Sequence, residues 1–186
     1  MIEPLQTERL TLREPRDTDA SILLAYYIRN EERFVPWEPD RVDSLEHHAR
    51  WIAWRRSESA IGRGRSFLAF DRASDALAVV VNLYQIDHGA SHSAILGYSG
   101  DGAFEGKGYA REAVQAVIAH AFTVLHVHRI SANYQPTNIR SAGLLRRLGF
   151  VVEGYARDML YLRGSFRDHI LTSLVNPDWT PPAVKS

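Results

Sequence analysis

A chain of 186 residues is long enough to bury one sizeable core and short for two, so one domain is expected over 1–179, followed by a flexible tail over 180–186. Its 22 basic side chains balance 22 acidic ones, so no bulk field draws it to nucleic acid or to an anionic membrane, and direct binding to either is not expected. The lack of cysteine excludes disulfides, thiolate-bound zinc and a cysteine nucleophile able to carry an acyl group.

The start, Met1 to Gln6, shows no basic segment leading into an apolar run, and no stretch reaches bilayer length, so a cytoplasmic protein is expected. Leu10-Thr11-Leu12-Arg13 alternates like a half-buried strand, and Ile22 to Tyr27 after Asp17-Thr18-Asp19 predicts a capped helix. A second helix is expected from Asp43 to about Glu58, because Asp43 and Glu46 stand at capping-box spacing and Trp51, Ile52 and Trp54 supply apolar surface. Strands are expected at 67–70, 77–83 and 94–98, separated by turn-forming clusters and arranged antiparallel. After Gly108, Ala110, Ala113, Val114, Val117, Ile118, Ala121, Phe122 and Leu125 recur at helical spacing and give one continuous apolar face. A short strand near 129–133, a helix over 138–148 and strands at 155–162 and 166–175 complete an α/β chain: a mixed sheet with helices on its faces.

The connection Tyr98 to Ala110 joins a strand to the strongest helix and carries four glycines. Without a Cβ, glycine lets several main-chain N–H groups turn toward one point, and the helix start adds unpaired donors and a positive dipole end, which suits a diphosphate. A plain strand-to-helix loop uses the same residues, so the glycines alone do not decide. A Walker loop would place glycine and Ser or Thr where Asp101 and Gly108 stand, and a dinucleotide fingerprint would want a third glycine where Arg111 stands.

A second motif, Asn133 to Phe150 with Asn138, Ser141 and Leu148-Gly149-Phe150, makes the pair specific. Together they resemble the GNAT superfamily of acetyltransferases, whose Q/R-x-x-G-x-G/A pattern here reads Glu105 to Ala110. Arg13, Pro36-Trp37-Glu38-Pro39, His128-Arg129-Ile130 and Arg167-Asp168-His169 resemble the Rim-type ribosomal-protein N-acetyltransferases, and Gly154-Tyr155-Ala156 and Pro177-Asp178-Trp179 point to the RimJ/RimL kind, over residues 5–179. The resemblance implies a GNAT-like fold with a largely antiparallel sheet and a splayed parallel pair. It implies acetyl-CoA as co-substrate with no metal, and a protein N-terminus bearing alanine or serine as acceptor. It also implies cofactor contacts from Tyr98, Ser99, Gly100, Gly106, Lys107, Gly108, Tyr109, Ala110 and Asn138, with the strand end at 98–100 pairing with pantetheine amides. The alternatives are an acetyltransferase for an antibiotic or polyamine, or a non-catalytic acyl-CoA-binding module; a monomer or homodimer is expected.

Three departures matter. Glu105 replaces the usual Gln or Arg, so its side chain is expected to point away from the diphosphate. Leu145 replaces the tyrosine many relatives use as general acid, and Asn133 a glutamate that some use. Ser141, one turn after Asn138, is then the candidate proton donor, and the two share a helix face; Ser141 serving only to pack or cap is the other reading. Trp37, Tyr84, Tyr134 and Tyr155 are candidates for the acceptor groove, with Glu38 and Asp168 available to attract a cationic terminus. An α-amine near pKa 8 is neutral in roughly one molecule in ten at pH 7, against about one in several thousand for lysine, so a site without a strong base suits an N-terminus. His126 and His128, two apart at a helix end, read as dipole partners rather than metal ligands.

Overall fold

The computed structural model describes residues 2–181; the expected tail falls outside them from 182 onward. The strands are β1 (Leu5–Gln6), β2 (Leu10–Arg13), β3 (Arg65–Asp71), β4 (Leu77–Asp87), β5 (Ser93–Gly100), β6 (Arg129–Tyr134), β7 (Val151–Leu162) and β8 (Ser165–Val175). The helices are α1 (Ala20–Arg29), α2 (Glu31–Phe34), α3 (Leu45–Ala60), α4 (Tyr109–Thr123) and α5 (Ile139–Arg147). All eight strands join one sheet in the order β1-β2-β3-β4-β5-β6-β8-β7. Every pairing is antiparallel except β5 with β6.

Alternation along the central strands sends side chains to two cores, because successive Cβ atoms leave a strand on opposite faces. On one face Phe67, Ala69, Val79, Val81, Leu10 and Leu12 meet Ala113, Val114, Val117 and Ala121, the apolar stripe of α4. On the other, Leu68, Phe70 and Val80 meet Leu23, Tyr26 and Tyr27 of α1 and Ile52 of α3. Each fully buried Val or Leu contributes roughly 1.5–3 kcal/mol, so the two helical layers hold the sheet from both sides.

Helix α3 begins one residue later than its capping-box spacing suggests. Ser44, extended at φ −138°, accepts from the His47 amide at 3.1 Å. Asp43 is drawn instead to Arg41 at 2.9 Å, and Trp54 is exposed rather than packed. The short elements β1 and α2 have too few residues to show a period. Strand β7 is exposed along most of its length, so no alternation marks it.

The feature that positions the site is where β5 and β6 part. Strand β5 follows β4 as far as Val79 opposite Gly100, yet pairs with β6 only over Ser93–Ile95 against Arg129–Ser131. Beyond Ile95 the two diverge, and the edge of β5 from Leu96 to Gly100 is left without a strand on that side. The closed end of this V is clamped: His92 O accepts from the His128 amide at 2.7 Å, and Trp179 packs on both histidine rings while its indole N–H donates to His126 O at 3.0 Å. His126 and His128 thus seat the Pro-Asp-Trp segment. Among the described residues no group of three or more His, Asp or Glu side chains gathers to hold a metal, and no helix is long and apolar enough to cross a membrane.

Candidate active site

Between β5 and α4 the chain makes one 3-10 turn over Gly102–Phe104 and then the glycine turn. Gly106 sits at φ 72° and Gly108 at φ 85°, in the left-handed region that costs other residues roughly 1–2 kcal/mol. Among the described residues the amides of Gly106, Gly108, Tyr109, Ala110 and Arg111 have no acceptor; the first α4 bond of the ordinary kind runs from Glu112 N to Gly108 O at 3.0 Å. Five N–H groups at the positive end of a 15-residue helix form a seat for a diphosphate.

That seat is braced from far along the chain. Glu112, in the first turn of α4, accepts from Thr7 Oγ1 at 2.6 Å, from the Arg9 amide at 2.8 Å and from Arg9 Nε at 2.8 Å, while Arg9 Nη1 donates to Lys107 O at 2.8 Å. Asp101, 4% exposed, is bound by Arg29, and Asn30 Oδ1 accepts the Gly102 amide at 2.8 Å. Lys107 departs from the backbone contact expected of it: its amide donates to Phe104 O at 3.4 Å, its ammonium folds back on Ala103 O at 2.9 Å, and it does not line the cavity, whereas Gly106 and Gly108 beside it do.

The V between β5 and β6 opens into a cavity of about 840 Å³. Tyr98, Ser99, Gly100, Tyr109, Ala110, Asn138 and Ser141 all line it. Asn138 caps α5, its Oδ1 accepting the Ser141 amide at 3.0 Å, which leaves the Nδ2 amide for other partners. Ser141 Oγ lies 2.7 Å from the Tyr98 hydroxyl. Burial pushes the Tyr98 phenol up to about 12 against the lowering effect of Ser141, so it stays protonated across neutral pH. Leu145, at the position where the resemblance implies a tyrosine, is buried in the core at 1% exposure.

Trp37, Tyr84 and Tyr134 also line the cavity, with Glu38, Asn133 and His169, and the register that sets Tyr84 opposite Ile95 and Val79 opposite Gly100 keeps Tyr84 away from the glycine turn. Gln135 ties the two sides of this mouth through Nε2 to Pro36 O at 2.9 Å. Burial raises the Glu38 carboxyl even though Arg41 Nη1 binds it at 2.6 Å. Tyr155 and Asp168 are not part of the site: Tyr155 is 55% exposed and its hydroxyl bonds Asp168 on the outer hairpin. A splayed strand pair, a free amide cluster and a two-ended cavity are now in place, and the sequence matches the acetyltransferase (GNAT) domain family over residues 9–151.

This chain belongs to the GNAT acetyltransferase family. It is 41% identical over 180 residues to the [ribosomal protein uS5]-alanine N-acetyltransferase of Escherichia coli, covering 95% of this chain and 93% of that one. Among solved structures it is similar to the ribosomal-protein-S5-alanine acetyltransferase of Vibrio fischeri, at 33% identity and TM-score 0.90, covering 96% and 99% of the two chains. It is also similar to Mycobacterium smegmatis RimJ in complex with CoA-disulfide, at 25% identity and TM-score 0.84, covering 94% and 90%. As a GNAT enzyme it is an acetyl-CoA-dependent N-acetyltransferase, and the glycine turn and unpaired β5 edge fit that co-substrate's diphosphate and its amide-bearing arm.

Within this GNAT site Glu105 does turn its carboxylate aside, onto Arg33 Nη1 at 2.6 Å and Arg140 Nε at 2.7 Å. The hydrogen bond from Arg33 leads in holding it below the usual carboxylate range. The cluster leaves one net positive charge at the phosphate end. Glu105→Gln leaves two, so acetyl-CoA is expected to bind roughly 3- to 10-fold more tightly at low ionic strength, the gain vanishing near 1 M salt. Titration calorimetry at two salt concentrations checks it; equal affinities at low salt would show that Glu105 does not set the local charge.

Proposed function

We propose that this protein transfers the acetyl group of acetyl-CoA to the N-terminal α-amine of a ribosomal protein, at an alanine or serine terminus, in the cytoplasm. The observation that carries this is the two-ended cavity: free amides and an unpaired strand edge at one end, and an aromatic mouth with a single carboxylate, Glu38, at the other. Glu38 is itself paired with Arg41 at 2.6 Å, so this mouth carries no surplus of negative charge. A polyamine would ask for several free carboxylates, while at the phosphate end Arg33 and Arg140 outnumber the Glu105 they hold and repel a polycation. The identity to the uS5-alanine enzyme favours the same acceptor.

In this reading the amides of Gly106 and of Gly108 to Arg111 bind the diphosphate, the β5 edge at Tyr98 to Gly100 aligns the pantetheine arm, and Asn138 Nδ2 adds a donor to it. The α-amine attacks the acetyl carbon. Ser141, backed by the Tyr98 hydroxyl at 2.7 Å, donates a hydrogen bond to the departing sulfur. A phenol near 12 holds its proton more tightly than a thiol near 8.5, so the pair stabilises the developing charge rather than surrendering the proton. The amine's own proton completes the thiol.

The test sets acceptors side by side: peptides beginning with alanine, serine or acetyl-alanine, and spermidine, each with acetyl-CoA and followed by thiol release. Turnover on the free-terminus peptides and not on the blocked one is expected. Turnover on spermidine alone would replace the proposed acceptor with a small amine, and tight acetyl-CoA binding without turnover would mark a non-catalytic module.

A further inference from the structure

We propose that His169 is the general base that takes the proton of the acceptor amine, an assignment that rests on the amine-acetylating reading above. Nδ1 of His169 lies 3.0 Å from the carbonyl oxygen of Arg167. A carbonyl only accepts, so Nδ1 carries the proton of the neutral ring and the lone pair sits on Nε2. The residue is 4% exposed, it lines the cavity, and Nε2 has no hydrogen-bond partner among the described residues.

The register of β8 decides which end of the cavity the ring serves. Ile170 pairs with Tyr134, Leu171 with Asn133 and Thr172 with Ala132. Alternate residues share a face, so His169 and Leu171 lie on the side of Asn133, away from Ile130 and Ala132, which pack in the core with α4. That is the side of α1 and α2, where Trp37 and Glu38 close the mouth. No other group there is as well suited to the task. Asn133 is an amide, the Glu38 carboxylate is committed to Arg41 at 2.6 Å, and burial raises the Tyr84 phenol. The charged groups beside the ring are Asp168, held on the outer side by Tyr155 and the Asp158 amide, and Arg157, which acts on that carboxylate; Glu38, Tyr84 and Tyr134 line the same cavity.

The step balances as follows. Nε2 takes one proton from the α-ammonium, the freed nitrogen pair forms the C–N bond to the acetyl carbon as the C–S bond breaks, and the nitrogen's second proton passes to the thiolate. His169 returns its proton to solvent, so ammonium and thioester give amide, thiol and one released proton.

His169→Asn separates this role from a structural one, because its Nδ2 keeps a donor for Arg167 O while nothing replaces Nε2; His169→Gln reaches the Nε2 position without its basicity. On an alanine-terminated peptide both variants are expected to lose about 100-fold in kcat/KM at pH 7. The deficit should narrow as pH rises past about 8, where the amine sheds its proton unaided, and the acetyl-CoA Kd should stay at the wild-type value. A wild-type pH profile in either folded variant overturns the assignment, and so does a deficit equal at every pH. If wild type acetylates spermidine and not the peptide, the acceptor reading fails; the same comparison on spermidine then decides His169 separately. Calorimetric binding of acetyl-CoA reports folding in each variant.

Discussion

Gly108→Val is expected to weaken acetyl-CoA binding by at least about 100-fold while the protein still folds. Gly108 is the N-cap of α4 at φ 85°, and a side chain there must either sit in the left-handed region or drag the turn out of it. A β-branched residue makes the first option worse. A Cβ at this position also comes within 3.4 Å of the Arg9 guanidinium, the group that holds Lys107 O. The turn is therefore expected to relax and re-aim the amides of Gly108, Tyr109 and Ala110. Hydrogen bonds to a charged group contribute roughly 1.5–3 kcal/mol each, so losing two gives the stated factor or more. Isothermal titration with acetyl-CoA reads the affinity, and thermal unfolding should show a drop of only a few degrees. Undiminished affinity would mean that the phosphates lie elsewhere.

The second large effect concerns the hydroxyl pair. Ser141→Ala is expected to lower kcat by about 100-fold, with the acetyl-CoA Kd changed less than about threefold, because a donor to the departing sulfur acts mainly as charge develops. Tyr98→Phe should cost less alone, since Ser141 keeps a hydroxyl. In the Ser141→Ala background the loss of the Tyr98 hydroxyl should add little, as expected of two groups acting in series. A double-mutant cycle on kcat gives that coupling directly. Additive effects would place Tyr98 outside the relay, and an unchanged kcat in Ser141→Ala would remove the serine from catalysis.

The parts legible in the sequence were those written in local spacing. The α4 stripe from Ala113 to Ala121 repeats at helical period, and the glycines at 106 and 108 stand where the chain must turn left-handed. Asn138 and Ser141 share a face because they are three apart on a helix. The rest depends on pairing between distant segments. Nothing local says that Tyr98, on β5, will meet Ser141 on α5, or that Glu105 will be shared by arginines from α2 and α5. His169 stands out only once β8 is registered against β6 and the Arg167 carbonyl claims Nδ1. Tyr155 and Asp168, candidates by residue type alone, are carried to the outer hairpin by the same kind of pairing. Strand β7 carries bulges between Val152 and Gly154 and between Ala156 and Leu160, and the pair ends on the outer surface. Lys107 stands between two left-handed glycines, yet its amide turns back to Phe104 O and its ammonium to Ala103 O, which no local spacing announces.

The Trp179 anchor turns the C-terminal segment into a rivet at the apex of the cleft. Because its indole spans His126, His92 and His128, the divergence of β5 from β6 starts from a fixed point, and the width available farther along is set by that fixed vertex. Trp179→Ala would free that vertex, and the two strands could then part at a different angle.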